Sequence, residues 1–232
     1  MLRQILADQF RLLAFRRTSP AIAEHWKAYL GWGFAVTWVV GIGRYWDHPR
    51  AEWWQYAGLG SIAYILCLAV LLWLLIWPLR PRRWSFRNVL LFLSMCSLPA
   101  LLYATPVERF MPLDRAQAVN AWFLGIVAIW RVALLLVFLR CSAGLGWFSM
   151  IVAGLLPLVI ILVALTMLNL EHVAFNIMAG IDPDQRTPND LAYTVVFALT
   201  LLSGNLLPVL LAAYLVLALR AWLTNRRASN QE

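Results

Sequence analysis

Charge is what this sequence has least of. Only 13% of its 232 residues are Asp, Glu, Lys or Arg, and acids are scarcer than bases, 11 against 19. A soluble domain carries about a quarter of its residues as charges, so a chain this poor in charge and 62% hydrophobic is no ordinary water-soluble fold. Cysteine is sparse too. Cys67, Cys96 and Cys141 lie within or beside apolar runs, at spacings that fit neither a zinc site nor a disulfide framework. Histidine occurs three times and never as a His-x-x-x-His pair, and no phosphate-cradling glycine loop is present. The first apolar run starts only after about residue 27 and has no small-residue cleavage site, so no cleavable signal peptide is expected.

Long apolar runs are what is there. Six of them cover residues 28–43, 57–79, 88–106, 116–139, 147–170 and 191–219. Runs near 20 residues with few charges match the thickness of a bilayer. The expected fold is an all-α integral membrane protein, a bundle of six transmembrane helices over residues 28–219. A basic amphipathic segment, residues 1–27, precedes it and a cytoplasmic tail, residues 220–232, follows. Little chain remains for a soluble domain. The net charge of +8 sits beside the spans, so membrane topology accounts for it and nucleic acid is not an expected partner.

Orientation follows from counting. With the N-terminus inside, the cytoplasmic segments hold 13 of the 19 Lys and Arg, the far-side loops hold 5, and Arg131 is the remaining one. The positive-inside rule then places both termini in the cytoplasm, with a bacterial inner membrane as the expected location. Trp46, Trp53, Trp54, Trp84 and Trp222 fall at the expected interfaces, where an aromatic belt needs no ligand to explain it.

The N-terminal segment repeats Leu2, Ile5, Leu6 and Leu13 at helical spacing, with Phe10 beside them. Such a helix lies in the headgroup layer with its apolar stripe down. Arg11, Arg16 and Arg17 are its expected contacts with anionic lipid, and Arg80, Arg82, Arg83 and Arg87 of the next cytoplasmic loop are further ones. The first span is rich in glycine, which permits close helix approach. Spans three and six share Leu-Ser-x-x-x-Leu-Pro-x-Leu-Leu, at Leu93–Leu102 and Leu202–Leu211, a pattern that an inverted repeat would produce.

Arg131 lies well inside the fourth run. An arginine at that depth costs roughly 2.5–3.5 kcal/mol on insertion scales, so it needs a partner and marks a candidate site. At 100° per residue Asn120 shares its side of the helix and Gln117 lies close to it. These three and Asn205 form the candidate intramembrane polar site, with Thr194, Thr166, Asn169, Ser61 and Tyr64 as further polar residues on other spans. The bland account is a guanidinium that snorkels toward Arg140 and the headgroups.

A second candidate site gathers on the far-side loops: Asp47, His48 and Glu52, then Glu108 and Arg109, then Glu171 and His172. Histidines among carboxylates support metal binding or acid–base chemistry, but without a short-range ligand motif, helix capping and charge pairing explain them as well. Cys141 and His172 fall on opposite sides of the membrane by the count above, so they do not form a catalytic pair. The function that follows is a transport or channel component built around Arg131. A non-catalytic subunit of a larger membrane complex and an outward-facing membrane enzyme are the alternatives. Membrane lipid is the expected partner, together with other subunits or a second copy of the chain, and no cofactor is expected.

Overall fold

The computed structural model describes residues 1–46, 52–168 and 191–229, except for the side chains of residues 108, 113, 114, 117, 191–197 and 225–229. All regular structure among them is helical. The helices are α1 (Leu2–Leu13), α2 (Ala21–Glu24), α3 (Trp26–Gly43), α4 (Trp53–Tyr56), α5 (Leu59–Ile76), α6 (Phe86–Met95), α7 (Leu113–Cys141), α8 (Trp147–Met167) and α9 (Leu191–Ser229). Short 3-10 segments, Trp77–Leu79, Leu98–Ala104 and Val107–Arg109, extend or join them.

Four helical stretches are long and apolar enough to cross a bilayer: Leu59–Leu79, Ala118–Cys141, Trp147–Met167 and Ala198–Thr224. Phe86–Met95 and Leu98–Ala104 meet at a 42° bend and make a fifth when taken as one broken span. α3 is not among these. Its 18 residues would rise about 27 Å, and Lys27 and five aromatic side chains dilute its apolar character. The protein is therefore a helical membrane protein with four to five spans by length and composition.

The two ends of the bundle are distinct. At one, the Arg87 guanidinium lies 5.3 Å from the Trp26 ring and the Arg82 N–H donates to Ala143 O at 2.8 Å. At the other, Trp46 Nε1 donates to Ala104 O at 3.1 Å, and Arg109 stacks over the Trp46 ring at 4.9 Å. The start of α3, the loop after α5 and the turn after α7 thus gather at one end, as alternating spans require. α3 runs beside α6 and the 3-10 segment that continues it, from one end to the other.

Two core regions hold the bundle. Leu72, Ile76, Val89, Leu134 and Leu139 are almost fully enclosed between α5, α6 and α7, where Phe92 and Phe138 stack with centroids 4.2 Å apart. Val152, Leu156 and Leu210 join α8 to α9. α9 lies at the rim, with only 6% of its apolar window buried against 39% for α8. The helix runs unbroken through Pro208, whereas the chain bends ahead of Pro99, so the matched prolines of spans three and six sit in unlike structures.

The glycines of α3 divide by what they touch. A Cβ at Gly41 would meet Gly58 O at 2.7 Å and Gly58 Cα at 2.9 Å, and Gly58 has φ +68°. A Cβ at Gly33 would collide with the Ser94 hydroxyl, while one at Gly31 meets nothing within 4 Å. Gly41→Ala is expected to destabilise the protein by about 1–3 kcal/mol through overpacking, and Gly31→Ala to leave it unchanged. Thermal unfolding of the two purified variants side by side checks this.

Candidate functional site

The bend in the broken span starts with Pro99. A proline has no N–H, so a helix continued through this point leaves Met95 O without its i+4 donor. The Ala100 N–H, which would reach Cys96 O in a continuous helix, instead bonds Ser97 O at 3.0 Å. Carbonyls are thereby released inside the bundle, where an unpaired one costs free energy. Ten residues of α6, about 15 Å of helix, precede the break.

Side chains from two other helices take these carbonyls. Gln9 of α1 donates Nε2 to Met95 O at 3.1 Å. Arg131 of α7 donates Nε to Cys96 O at 3.3 Å and Nη2 to Ser97 O at 3.5 Å. The Ser97 hydroxyl is 2.7 Å from Thr37 Oγ1, and that hydroxyl also donates to Gly33 O in its own helix. The Arg131 guanidinium is thus bonded to protein. Its partners are backbone carbonyls at the end of a half-helix, the place where unwound transporter helices commonly hold a cation.

The guanidinium also stands on the wall of a cavity of about 520 Å³ between α5, α6, α7 and α8. Tyr64, Cys96 and Tyr103 share that wall, and the rest of it is almost wholly apolar. The cavity is not sealed: Tyr64 and Trp122, both on its lining, are 52% and 69% exposed. Arg44 stands near its far end, with its guanidinium 5.4 Å from the Tyr103 ring. Its Nε and Nη2 are buried without a hydrogen-bond partner among the described residues. Tyr103 is within electrostatic reach of both arginines. The one ion pair among the described residues is Arg11–Asp8, so neither Arg44 nor Arg131 has a carboxylate counter-ion there.

The other residues singled out from the sequence are distributed unevenly. Asn120 sits half-buried on α7 and does not line the cavity. Gln117 belongs to α7, but its side chain lies outside the described residues. Asn205 is exposed and donates Nδ2 to Leu201 O of its own helix at 2.8 Å, so it is not a partner of Arg131. Thr166 bonds Leu162 O and approaches Thr200 at 3.4 Å between α8 and α9. Of the further polar candidates, Tyr64 is the one that reaches the cavity, and Thr194 and Asn169 lie outside what is described.

Of the far-side set, Asp47, His48, Glu171 and His172 lie outside the described residues, as does the Glu108 side chain. Glu52 is the N-cap of α4, its N–H donating to Gln55 Oε1 at 2.7 Å in a capping box. Arg109 is engaged with Trp46. No group of three His, Cys, Asp or Glu able to hold a metal occurs among the described residues. Arg16, Arg17, Arg80, Arg82, Arg83 and Arg87 are exposed, and Arg11 half so.

Sequence reasoning missed Asp8 and Gln9, both fully buried. Asp8 accepts from the Tyr29 hydroxyl at 2.7 Å, from the Ser19 hydroxyl at 2.5 Å, from the Ser19 N–H at 3.0 Å and from Arg11 at 3.2 Å. Burial pushes its carboxyl up, but these hydrogen bonds outweigh that and hold it below its ordinary value of 3.8. Gln9 also accepts from Trp32 Nε1 at 2.8 Å, and Trp130 Nε1 donates to Leu13 O at 2.9 Å. α1 is thus docked into the bundle by Ile5, Asp8, Gln9 and Leu13, while Leu2 and Phe10 of the same stripe stay exposed. The available signal was spacing: Asp8 and Gln9 fall on the helix face of Ile5 and Leu12. Compared with known protein families, curated proteins and solved structures, this chain matches none.

Proposed function

We propose that this protein is a membrane transport component whose intramembrane site, centred on Arg131, takes an anion. One observation carries the reading: a guanidinium on a bilayer-length apolar helix, on the wall of a 520 Å³ cavity, without a carboxylate partner among the described residues. A membrane charge of that kind is costly and is retained where it serves a pathway or a ligand. The cation at the broken half-helix fills the place where a transported cation would bind, which favours an anionic cargo. With no nucleotide-binding motif in the sequence, movement against a gradient would draw on an ion gradient or a partner subunit.

In this reading α3 crosses beside the broken span, giving six spans in a bacterial inner membrane with both termini cytoplasmic. α1 then lies at the inner leaflet. Its exposed Leu2 and Phe10, with Phe15 just after it, meet the acyl boundary, and Arg3, Arg16 and Arg17 meet anionic headgroups. Reconstituted liposomes test the transport role, with uptake of chloride, phosphate, acetate and oleate followed in parallel. Wild type is expected to exceed empty liposomes for at least one anion, and Arg131→Gln to lower that rate tenfold or more at equal incorporation. Rates indistinguishable from empty liposomes for all four, or an undiminished Arg131→Gln, would end the proposal.

A further inference from the structure

We infer that the cavity beside Arg131 takes a single-chain anionic amphiphile, with its carboxylate or phosphate head at the guanidinium and its hydrocarbon along the apolar wall. This rests on the anion-site reading above and names the ligand class. The argument is one of match. Of the 21 lining residues, Arg131 is the one with a charge, and two phenols, one thiol and one indole are the other polar side chains. A small hydrophilic anion would find a single cation and otherwise hydrocarbon, with nothing to replace the rest of its hydration shell. A neutral hydrophobe would leave the guanidinium without a ligand. A molecule charged at one end and apolar along the remainder satisfies both parts of the lining.

Size and access agree. A volume of 520 Å³ falls within the range of pockets, roughly 300–1,000 Å³, that enclose drug-sized ligands. The exposed lining residues Tyr64 and Trp122 lie within bilayer-length helices, so a chain can enter sideways from lipid. Lipid tails are as apolar as the wall, so burying the chain there contributes little selectivity. Discrimination rests on the head. Two of the five guanidinium N–H groups bond the carbonyls of Cys96 and Ser97, and Nη1 has no such bond among the described residues.

Gly125 provides a clean way to close the cavity. It lines the wall on α7, and a Cβ there would meet nothing within 4 Å, so Gly125→Phe places a ring in the space without disturbing the backbone. The test uses the full chain in lipid nanodiscs, a diazirine-bearing palmitate as the photoprobe, and peptide mass mapping of the adducts. Adducts are expected on Trp122 and Leu158 of the lining. Excess oleate or dodecyl phosphate should suppress them at least tenfold, the more potent of the two identifying the head as carboxylate or phosphate, and methyl oleate should not. Gly125→Phe should reduce them to a similar degree at unchanged elution on size exclusion. In Arg131→Gln the acid should lose its advantage over the ester.

Equal competition by methyl oleate, adducts confined to other surfaces, or full labelling of Gly125→Phe would each overturn the assignment. The two proposals fail separately. Acid-selective cavity labelling without flux above empty liposomes removes transport and leaves the ligand class. Arg131-dependent flux of chloride or phosphate without cavity labelling removes the ligand class and leaves transport.

Discussion

Asp8→Ala is expected to lower stability by about 3 kcal/mol, the largest loss of any single change at the N-terminus. It removes both acceptor oxygens and strands the Tyr29 hydroxyl and both donors of Ser19, and an orphaned buried donor costs about 1–3 kcal/mol. Asp8→Asn keeps one acceptor oxygen without charge and should fall between alanine and wild type. The same contacts fix a pH dependence. The folded-state pKa lies below the ordinary 3.8, so the stability Asp8 supplies is complete above that value. It is lost as pH falls through the lowered folded-state pKa. The stability of wild type should fall over that acid range by more than that of Asp8→Asn, as thermal melts in detergent at stepped pH would show.

Arg131→Leu is the second. It withdraws the donor from Cys96 O, whose neighbour Ala100 N–H is already used by Ser97, and a stranded carbonyl at this depth costs about 1–3 kcal/mol. Arg131→Gln retains an amide donor and should lose less. Pro99→Ala returns a donor to Met95 O and not to Cys96 O, so adding it to Arg131→Leu is expected to recover little of the loss. Melting temperatures of the three variants decide the matter, and an unchanged Arg131→Leu would show that the carbonyl cap contributes nothing to the fold.

These two sites differ in how far the sequence disclosed them. Arg131 was visible because a cation inside an apolar run is anomalous on composition alone. Its partner was not, since backbone carbonyls leave no trace in a sequence, and polar side chains such as Asn205 were the natural suspects. Pro99 was the clue to a break there: four residues after Met95, it removes the donor of Met95 O, the carbonyl that Gln9 takes. The long apolar helices were legible for the usual reason that hydropathy and length suffice. α3 was harder to place, because Lys27, Tyr29 and three tryptophans dilute its apolar character over 18 residues.

At the N-terminus, Leu2–Leu13 is a helix. Periodicity alone does not say what an apolar stripe faces. Ile5 and Leu13 meet protein, whereas Leu2 and Phe10 do not. Nothing in the sequence marks Asp8 and Gln9 as buried, because polar side chains are usually exposed, and only the tertiary partners make them core.

The docking of α1 also orders events during synthesis. Gln9 bonds a carbonyl 86 residues further along the chain, and the Leu13 carbonyl is held by a tryptophan 117 residues away. The helix is therefore not fully seated until the fourth long apolar segment has been made. Asp8 and Gln9 find Ser19, Tyr29 and Trp32 in nearby chain first. The contacts with Met95 and Trp130 come later, so the seat of α1 is built in two stages.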